Sequence, residues 1–286
     1  MYLAHDNYCP IVERRQVVAK TVANKTVKIV VATHKEYSMP SDDLYFPLQV
    51  GAALSKKDFG YAKDNTGKNI SEKNPNYCEL TGLYWAWKNL DADYIGLVHY
   101  RRHFRLQKSH SRKPADRLKA VVAKSEVKNL LETSDIILPK QRNYFIENLY
   151  DHYAHTMHIE PLDIVGEIIA EKYSEYSAEF EKIHARKKAH MFNMFIMKRN
   201  ILDSYCEWLF GILSELEKHI DMKDYDAFHA RFYGRISELL LDVYINTNHL
   251  SYTEVPIIDI EPVNWLKKGS SFLLAKFAGR KYEKSF

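Results

Sequence analysis

The chain has 286 residues, 46% hydrophobic and 27% charged, with a formal net charge of +4. That balance excludes a disordered polypeptide, and the length suits one large α/β domain or two small ones with a substantial core. Cys9, Cys78 and Cys206 form no CxxC pair, which disfavours a disulfide scaffold or structural zinc and suits a reducing cytoplasm. No stretch approaches the ~20 apolar residues that span a bilayer. The first ten residues contain Asp6 and lack the apolar centre of a signal peptide, so a cytoplasmic location is expected.

In chain order, residues 1–26 are mixed and read as an N-terminal extension with a short strand at 16–19. Residues 27–32, VKIVVA, form the first buried strand, which runs into Thr33, His34 and Lys35. This is expected to open a nucleotide-binding half whose first loop meets base and ribose. No GxGxxG or GxxxxGK[ST] occurs, which disfavours a dinucleotide site and a P-loop. Residues 58–73 are polar, with the turn formers Asp64, Asn65, Gly67 and Asn69, and read as a loop.

Residues 74–104 carry the densest signal. Leu80, Leu83, Tyr84, Trp87 and Leu90 recur at helical spacing, so a helix is expected over 77–89 with Asn76 as its cap. A polar turn at 91–93 leads into a continuous apolar strand over 94–98. The strand ends in His99, Tyr100, Arg101, Arg102 and His103. In an open parallel sheet ligands bind outside the carboxyl ends of strands, and Arg holds phosphate through two parallel hydrogen bonds. The cluster therefore reads either as an anion site or as an ordinary polar edge with salt bridges.

Residues 105–128 carry eight Lys or Arg against two acids, a segment that is either simply exposed or closes over a diphosphate. A helix ends at 127–131, and residues 135–138 form a buried strand before Pro139. Residues 146–169 are expected to be largely helical. His152, His155 and His158 fall there at steps of three, which drift around the helix by about 60° each, and no HExxH accompanies them, so no metal site is assigned. Residues 189–198 read as a strand interrupted by Asn193, and 201–217 as a strongly amphipathic helix. A polar turn at 231 opens a further helix to 244.

The runs NISEKNPNYCELTGLYWAWKN and DYIGLVHYRRHF closely resemble a bacterial family from capsular and exopolysaccharide gene clusters. That family is catalogued as a domain of unknown function and is related to nucleotide-sugar glycosyltransferases of the GT-A fold. The resemblance runs from about Val27 to about Ile245. It implies an α/β, GT-A-like (Rossmann-like) single domain with a mixed, mostly parallel sheet flanked by helices. The expected division is an extension at 1–26, the transferase domain at 27–263 and a basic tail at 264–286.

The resemblance implies a galactofuranosyltransferase type that inverts at the anomeric carbon, takes a UDP-sugar donor and uses a lipid-linked oligosaccharide acceptor. Expected nucleotide and diphosphate contacts are Thr33, His34, Lys35, Asn69, Glu79, His99, Arg101 and Arg102. Asn193, His155 and Asp163 are expected to line the sugar or acceptor, and Glu238 is the expected base with Asp64 in reserve. Two neighbours of Glu238 depart from the family pattern: Arg235 stands where an aromatic is usual, and Leu239 where a basic residue is usual.

Asp91, Ala92 and Asp93 spell the DxD that holds a divalent metal in many GT-A enzymes, but they precede the strand, whereas HYRR follows it. Arg101 and Arg102, helped by His99, are therefore expected to neutralise the leaving diphosphate, and no cofactor is assigned. Two alternatives stay open: a Mn- or Mg-dependent hexopyranosyltransferase of the same fold, and a non-catalytic carbohydrate-binding or scaffold protein. The tail, 264–286, carries six Lys or Arg against one acid among aromatic and aliphatic residues. It reads either as packed on the domain or as a peripheral anchor on the inner membrane leaflet. No nucleic-acid motif is present.

Overall fold

The computed structural model describes Val22 and residues 24–223 and 225–261; the expected N-terminal strand and the basic tail lie outside the described residues. The apolar run at the start becomes β1 (Val27–Thr33), with β2 (Tyr45–Gln49) parallel to it and β3 (Ala62–Lys63) parallel to β2. Two helices follow, α1 (Asn74–Tyr77) and α2 (Leu80–Asn89), and β4 (Tyr94–His99) then returns parallel to β1, bringing His99 opposite Ala32. The chain reverses at Tyr100 and Arg101 into β5 (Arg102–Phe104), antiparallel to β4.

Next come α3 (Pro114–Leu118), α4 (Lys124–Leu131), β6 (Ile136–Pro139) and β7 (Arg142–Asn143). Three helices, α5 (Leu149–Thr156), α6 (Glu160–Lys172) and α7 (Ser177–Ala185), lead to β8 (Lys188–Ala189) and β9 (Phe195–Lys198). The chain continues through α8 (Arg199–Leu216), α9 (Phe232–Thr247), β10 (Thr253–Val255) and β11 (Ile257–Asp259).

The main path of the sheet is β10-β6-β9-β4-β1-β2-β3, with β5 and β11 paired at its side. Within that path only β9 runs against its neighbours. The architecture is thus one α/β domain with a mixed, mostly parallel sheet flanked by helices. Alternation along β1 explains the layering: Val30 and Ala32 join the core under α2 and α5 to α9, while Ile29 and Val31 join the core on the other face with Val127 and Leu131 of α4. On α8 the residues Leu202, Leu209, Ile212, Leu213 and Leu216 are wholly buried, each contributing about 1.5–3 kcal/mol of transfer free energy. Gly96 is required in β4, because a Cβ there would lie 2.9 Å from Ile196 Cγ1 and 3.0 Å from the Phe195 carbonyl.

Three expected elements are broken, and the breaks matter for the site. The helix expected over 77–89 is interrupted at Cys78, whose φ of 53° and ψ of −128° leave the helical region, so α2 begins at Leu80. Asn76 does not cap it; its side-chain amide donates to the Ala230 carbonyl at 3.1 Å. The helix expected over 146–169 is two helices, the first capped by Asn148, whose side chain accepts from the Asp151 N–H. The strand expected over 189–198 splits into β8 and β9, because Phe192 and Asn193 take positive φ values of 79° and 51°.

Candidate functional site

Parallel β1 and β4 end side by side, and antiparallel β9 begins at the same edge of the sheet. Side chains from three strand ends therefore meet the amino-terminal turns of α2 and α9. At the end of β1 the Thr33 hydroxyl donates to the Lys35 carbonyl at 2.5 Å and accepts from the Lys35 N–H at 3.2 Å, closing a tight turn. That turn presents His34 and Lys35. The Lys35 ammonium lies 5.1 Å from the Tyr100 ring centre, and His34 meets the same ring edge-on at 5.3 Å. Exposed Arg101 flanks the other side, its guanidinium 6.0 Å from the Tyr100 ring.

Arg231, just before α9, reaches the same place and donates from Nε to Cys78 Sγ at 3.0 Å. Crowding by surrounding protein, then the charges of Lys35, Arg231 and Arg101, hold the His34 imidazole below its usual pKa. Three cations and a neutral imidazole thus share one opening.

The second half of the site is built on the kink at Phe192 and Asn193. His99 donates from Nε2 to the Phe192 carbonyl at 2.6 Å, which leaves Nδ1 as its acceptor; burial keeps its pKa low against the pull of Glu79. Asn193 is buried and donates from Nδ2 to Glu79 Oε1 at 2.7 Å and to the Gly234 carbonyl at 2.9 Å. Its Oδ1 and Glu238 Oε2 are both buried without a hydrogen-bond partner. Such atoms are costly unless a ligand completes them. Non-glycine residues at positive φ are uncommon and concentrate where function demands a particular backbone; Cys78, Phe192 and Asn193 all fall here.

Glu238, on the first turns of α9, is 5% exposed, with Arg235 Nη1 3.7 Å from its Oε1. Burial pushes its carboxyl above the ordinary carboxylate range; Arg235 opposes the rise, Glu79 adds to it, and Arg142 and Arg102 oppose it. The edge therefore carries six cations, Lys35, Arg101, Arg102, Arg142, Arg231 and Arg235, around Glu79 and Glu238, with Asp259 paired to Arg102. The arrangement can hold a polyanion and place an elevated carboxylate beside it.

Not every expected residue joins this group. Asp64 is wholly buried and accepts from the N–H groups of Gly51 and Ala52 at 2.9 and 3.0 Å, from Thr81 Oγ1 at 2.7 Å and from the Ser71 hydroxyl. Both oxygens are saturated, so it ties loops together and has no lone pair for a substrate proton. Asn69 is exposed and folds onto its own loop, donating to the Gly67 carbonyl at 3.0 Å. Exposed His155 turns with His152 toward Glu147, at 3.3 and 3.4 Å, while His158 stacks against Tyr225 and His229. Exposed Asp163 accepts from the Tyr150 hydroxyl at 3.0 Å. None of His155, Asp163 or Asn69 is brought by a hydrogen bond or ion pair to the residues around Glu238.

Arg102 is also reassigned in part: its Nε donates to Asp259 Oδ1 at 3.0 Å and its guanidinium lies 3.8 Å over the Phe192 ring, so Arg101 is the exposed member of the pair. Asp93 of the DxD accepts from Lys25 Nζ at 2.8 Å and from the Thr26 N–H and hydroxyl, which holds its pKa down to about 2. It fastens the opposite end of β4. Arg142, Arg231 and Arg235 were not expected. The spacing of Arg231, Arg235 and Glu238, one face of a helix over two turns, was the available signal for two of them; Arg142 carried none.

The family model described as "Domain of unknown function (DUF4422)" matches residues 28–249. Among solved structures, the chain is similar to one described as "WbbM bifunctional glycosytransferase apo structure", with a TM-score of 0.76 and 32% identity over 83% of this chain. The chain spans 46% of the length of that protein. No curated protein matches.

Proposed function

The chain belongs to the DUF4422 family, and from that footing we propose that it is a glycosyltransferase that takes a sugar from a UDP-linked donor. The observation that carries the reading is the pairing of a cationic opening at the carboxyl ends of β1 and β4 with a buried, elevated carboxylate, Glu238. The solved neighbour, described as a bifunctional glycosyltransferase, supports the same class of reaction.

In the proposed step an acceptor hydroxyl oxygen attacks the anomeric carbon while the bond from that carbon to the diphosphate oxygen breaks. The bond's electron pair leaves with UDP, and Glu238 takes the hydroxyl proton. A base raised above the usual carboxylate range is better matched to neutral pH than an ordinary one. The charge that grows on the diphosphate meets the positive charges of Lys35, Arg101 and Arg231 beside the end of β1. A single base acting in one displacement corresponds to inversion. Galactofuranose as the sugar and a lipid-linked oligosaccharide as acceptor come from the family resemblance and form part of the proposal.

Calorimetric titration with UDP and a panel of UDP-sugars, each in EDTA and again with Mn²⁺, tests it. Binding that survives EDTA and is strongest for one UDP-sugar is expected. Binding only with Mn²⁺ would move diphosphate neutralisation away from the cations, and no UDP binding would overturn the donor class.

A further inference from the structure

We propose that the tip of the loop joining β7 to α5 is a docking surface for an anionic lipid bilayer, with Phe145 and Ile146 entering the headgroup region. Phe145 is 75% exposed and Ile146 55%, two consecutive large apolar side chains in solvent. Single exposed apolar residues are ordinary, but an adjacent pair held outward is not. The loop is held so: the Phe145 N–H donates to Asn143 Oδ1 at 2.9 Å, Lys187 Nζ donates to the Phe145 carbonyl at 3.3 Å, and Phe145 sits at a φ of 56°. The backbone is strained and braced in a form that hides neither side chain.

Charge selects the occupant. Antiparallel pairing of β7 with β8 sets Asn143 opposite Lys188, and the Tyr144 N–H donates to the Lys187 carbonyl at 2.9 Å. Segments 140–146 and 186–189 therefore form one patch, and between them they contain five Lys or Arg and no acid. Lys140, Arg142, Lys187 and Lys188 are exposed. Arg186 is engaged by Glu179 at 3.2 Å. Two acids reach the patch from neighbouring elements, fewer than its cations: Glu147 is buried toward His152 and His155, and exposed Glu254 accepts from His190 Nε2 at 3.0 Å and from the Gln141 N–H at 3.3 Å.

An aromatic and an aliphatic tip ringed by cations is what an anionic headgroup layer recognises. A protein partner fits less well, since protein interfaces are depleted in Lys and need ~800 Å² on each side, far beyond two side chains. Arg142, at the root of the loop, lies 5.9 Å over the Phe192 ring, so the bilayer would lie next to the cationic opening. That placement suits the lipid-linked acceptor proposed above, although the docking surface stands without it.

The test is co-sedimentation of the full chain with phosphatidylcholine vesicles and with vesicles containing phosphatidylglycerol, comparing the wild type, F145S/I146S and K187E/K188E. Binding to the anionic vesicles is expected, falling at least tenfold in each double variant, while calorimetric UDP binding is unchanged in both. A Phe145→Trp variant should show quenching by brominated lipid. A loop variant that binds vesicles as the wild type does would overturn the proposal and assign the attachment to other residues such as 264–286. So would a wild type that ignores anionic vesicles, or one that forms a dimer dissociated by F145S/I146S. Loss of UDP binding in the wild type would instead count against the transferase reading and leave the vesicle result intact.

Discussion

In the proposed reaction Glu238 and Arg101 answer separate chemical demands, and single substitutions should separate them. Glu238→Gln keeps the side-chain volume and removes the proton acceptor, so turnover should fall by about 10²–10⁴-fold with donor affinity nearly unchanged, as read from kcat and calorimetry on the same sample. The pH profile carries the sign: the base works only when ionised, and burial raises its pKa, so the acid limb of kcat/KM should lie above the ordinary carboxylate range. A limb near the usual Glu value would assign the proton to another group. Arg101→Ala, at an exposed residue outside the core, should leave folding intact and cut turnover by orders of magnitude with weaker UDP binding. Unchanged kinetics would remove Arg101 from the diphosphate contacts.

At the scale of elements, the site depends on two breaks in regular structure. Cys78 ends α1 and lets Glu79 enter at the start of α2, where its carboxylate accepts from Asn193. The kink at Phe192 and Asn193 separates β8 from β9 and turns a carbonyl toward His99. Behind it, His190 is clasped between Asp242 of α9 and Glu254 of β10, so the kinked segment is fastened one helical turn beyond Glu238. Asp64 plays the same part for the loops beside α2. Asp64→Ala would strand four donors, two of them backbone N–H groups, at a cost of about 3–5 kcal/mol. A thermal melt should then show a loss on the order of 10 °C. A melt within a degree or two of the wild type would show that these donors find water.

For the whole molecule, pH stability reports which buried groups the fold keeps neutral. His103 is completely buried against Tyr45, and burial lowers its pKa to about 4. The unfolded chain takes up a proton near pH 6.5 and the folded chain does not, so stability is full above that value and declines as the pH falls toward 4. At pH 5 the decline amounts to about 2 kcal/mol. Urea midpoints of the wild type and His103→Gln at pH 7 and pH 5 should show that much less loss in the variant. His190 acts with the opposite sign: burial lowers its pKa, but the Asp242 and Glu254 carboxylates outweigh it and hold it up. Its contribution is full below pH 6.5 and fades as the pH rises through the elevated value. The buried strands, the amphipathic helices and the polar end of β4 were legible in the sequence, because apolar periodicity reports burial directly and a run of VKIVVA or YIGLV has one low-energy use. Arg101 and His99 stood out beside the β4 pattern, whereas Glu238 was singled out through the family resemblance and by no local pattern. Only the tertiary structure decided that Arg102 is held by Asp259, that Asp64 is saturated, and that Arg142 and Arg231 converge on the same opening. Arg102 and Arg231 find partners more than 150 residues away and Asp64 finds its own only where the loops fold back on it; a local pattern of residues carries no record of which group the fold will bring up to satisfy a charge.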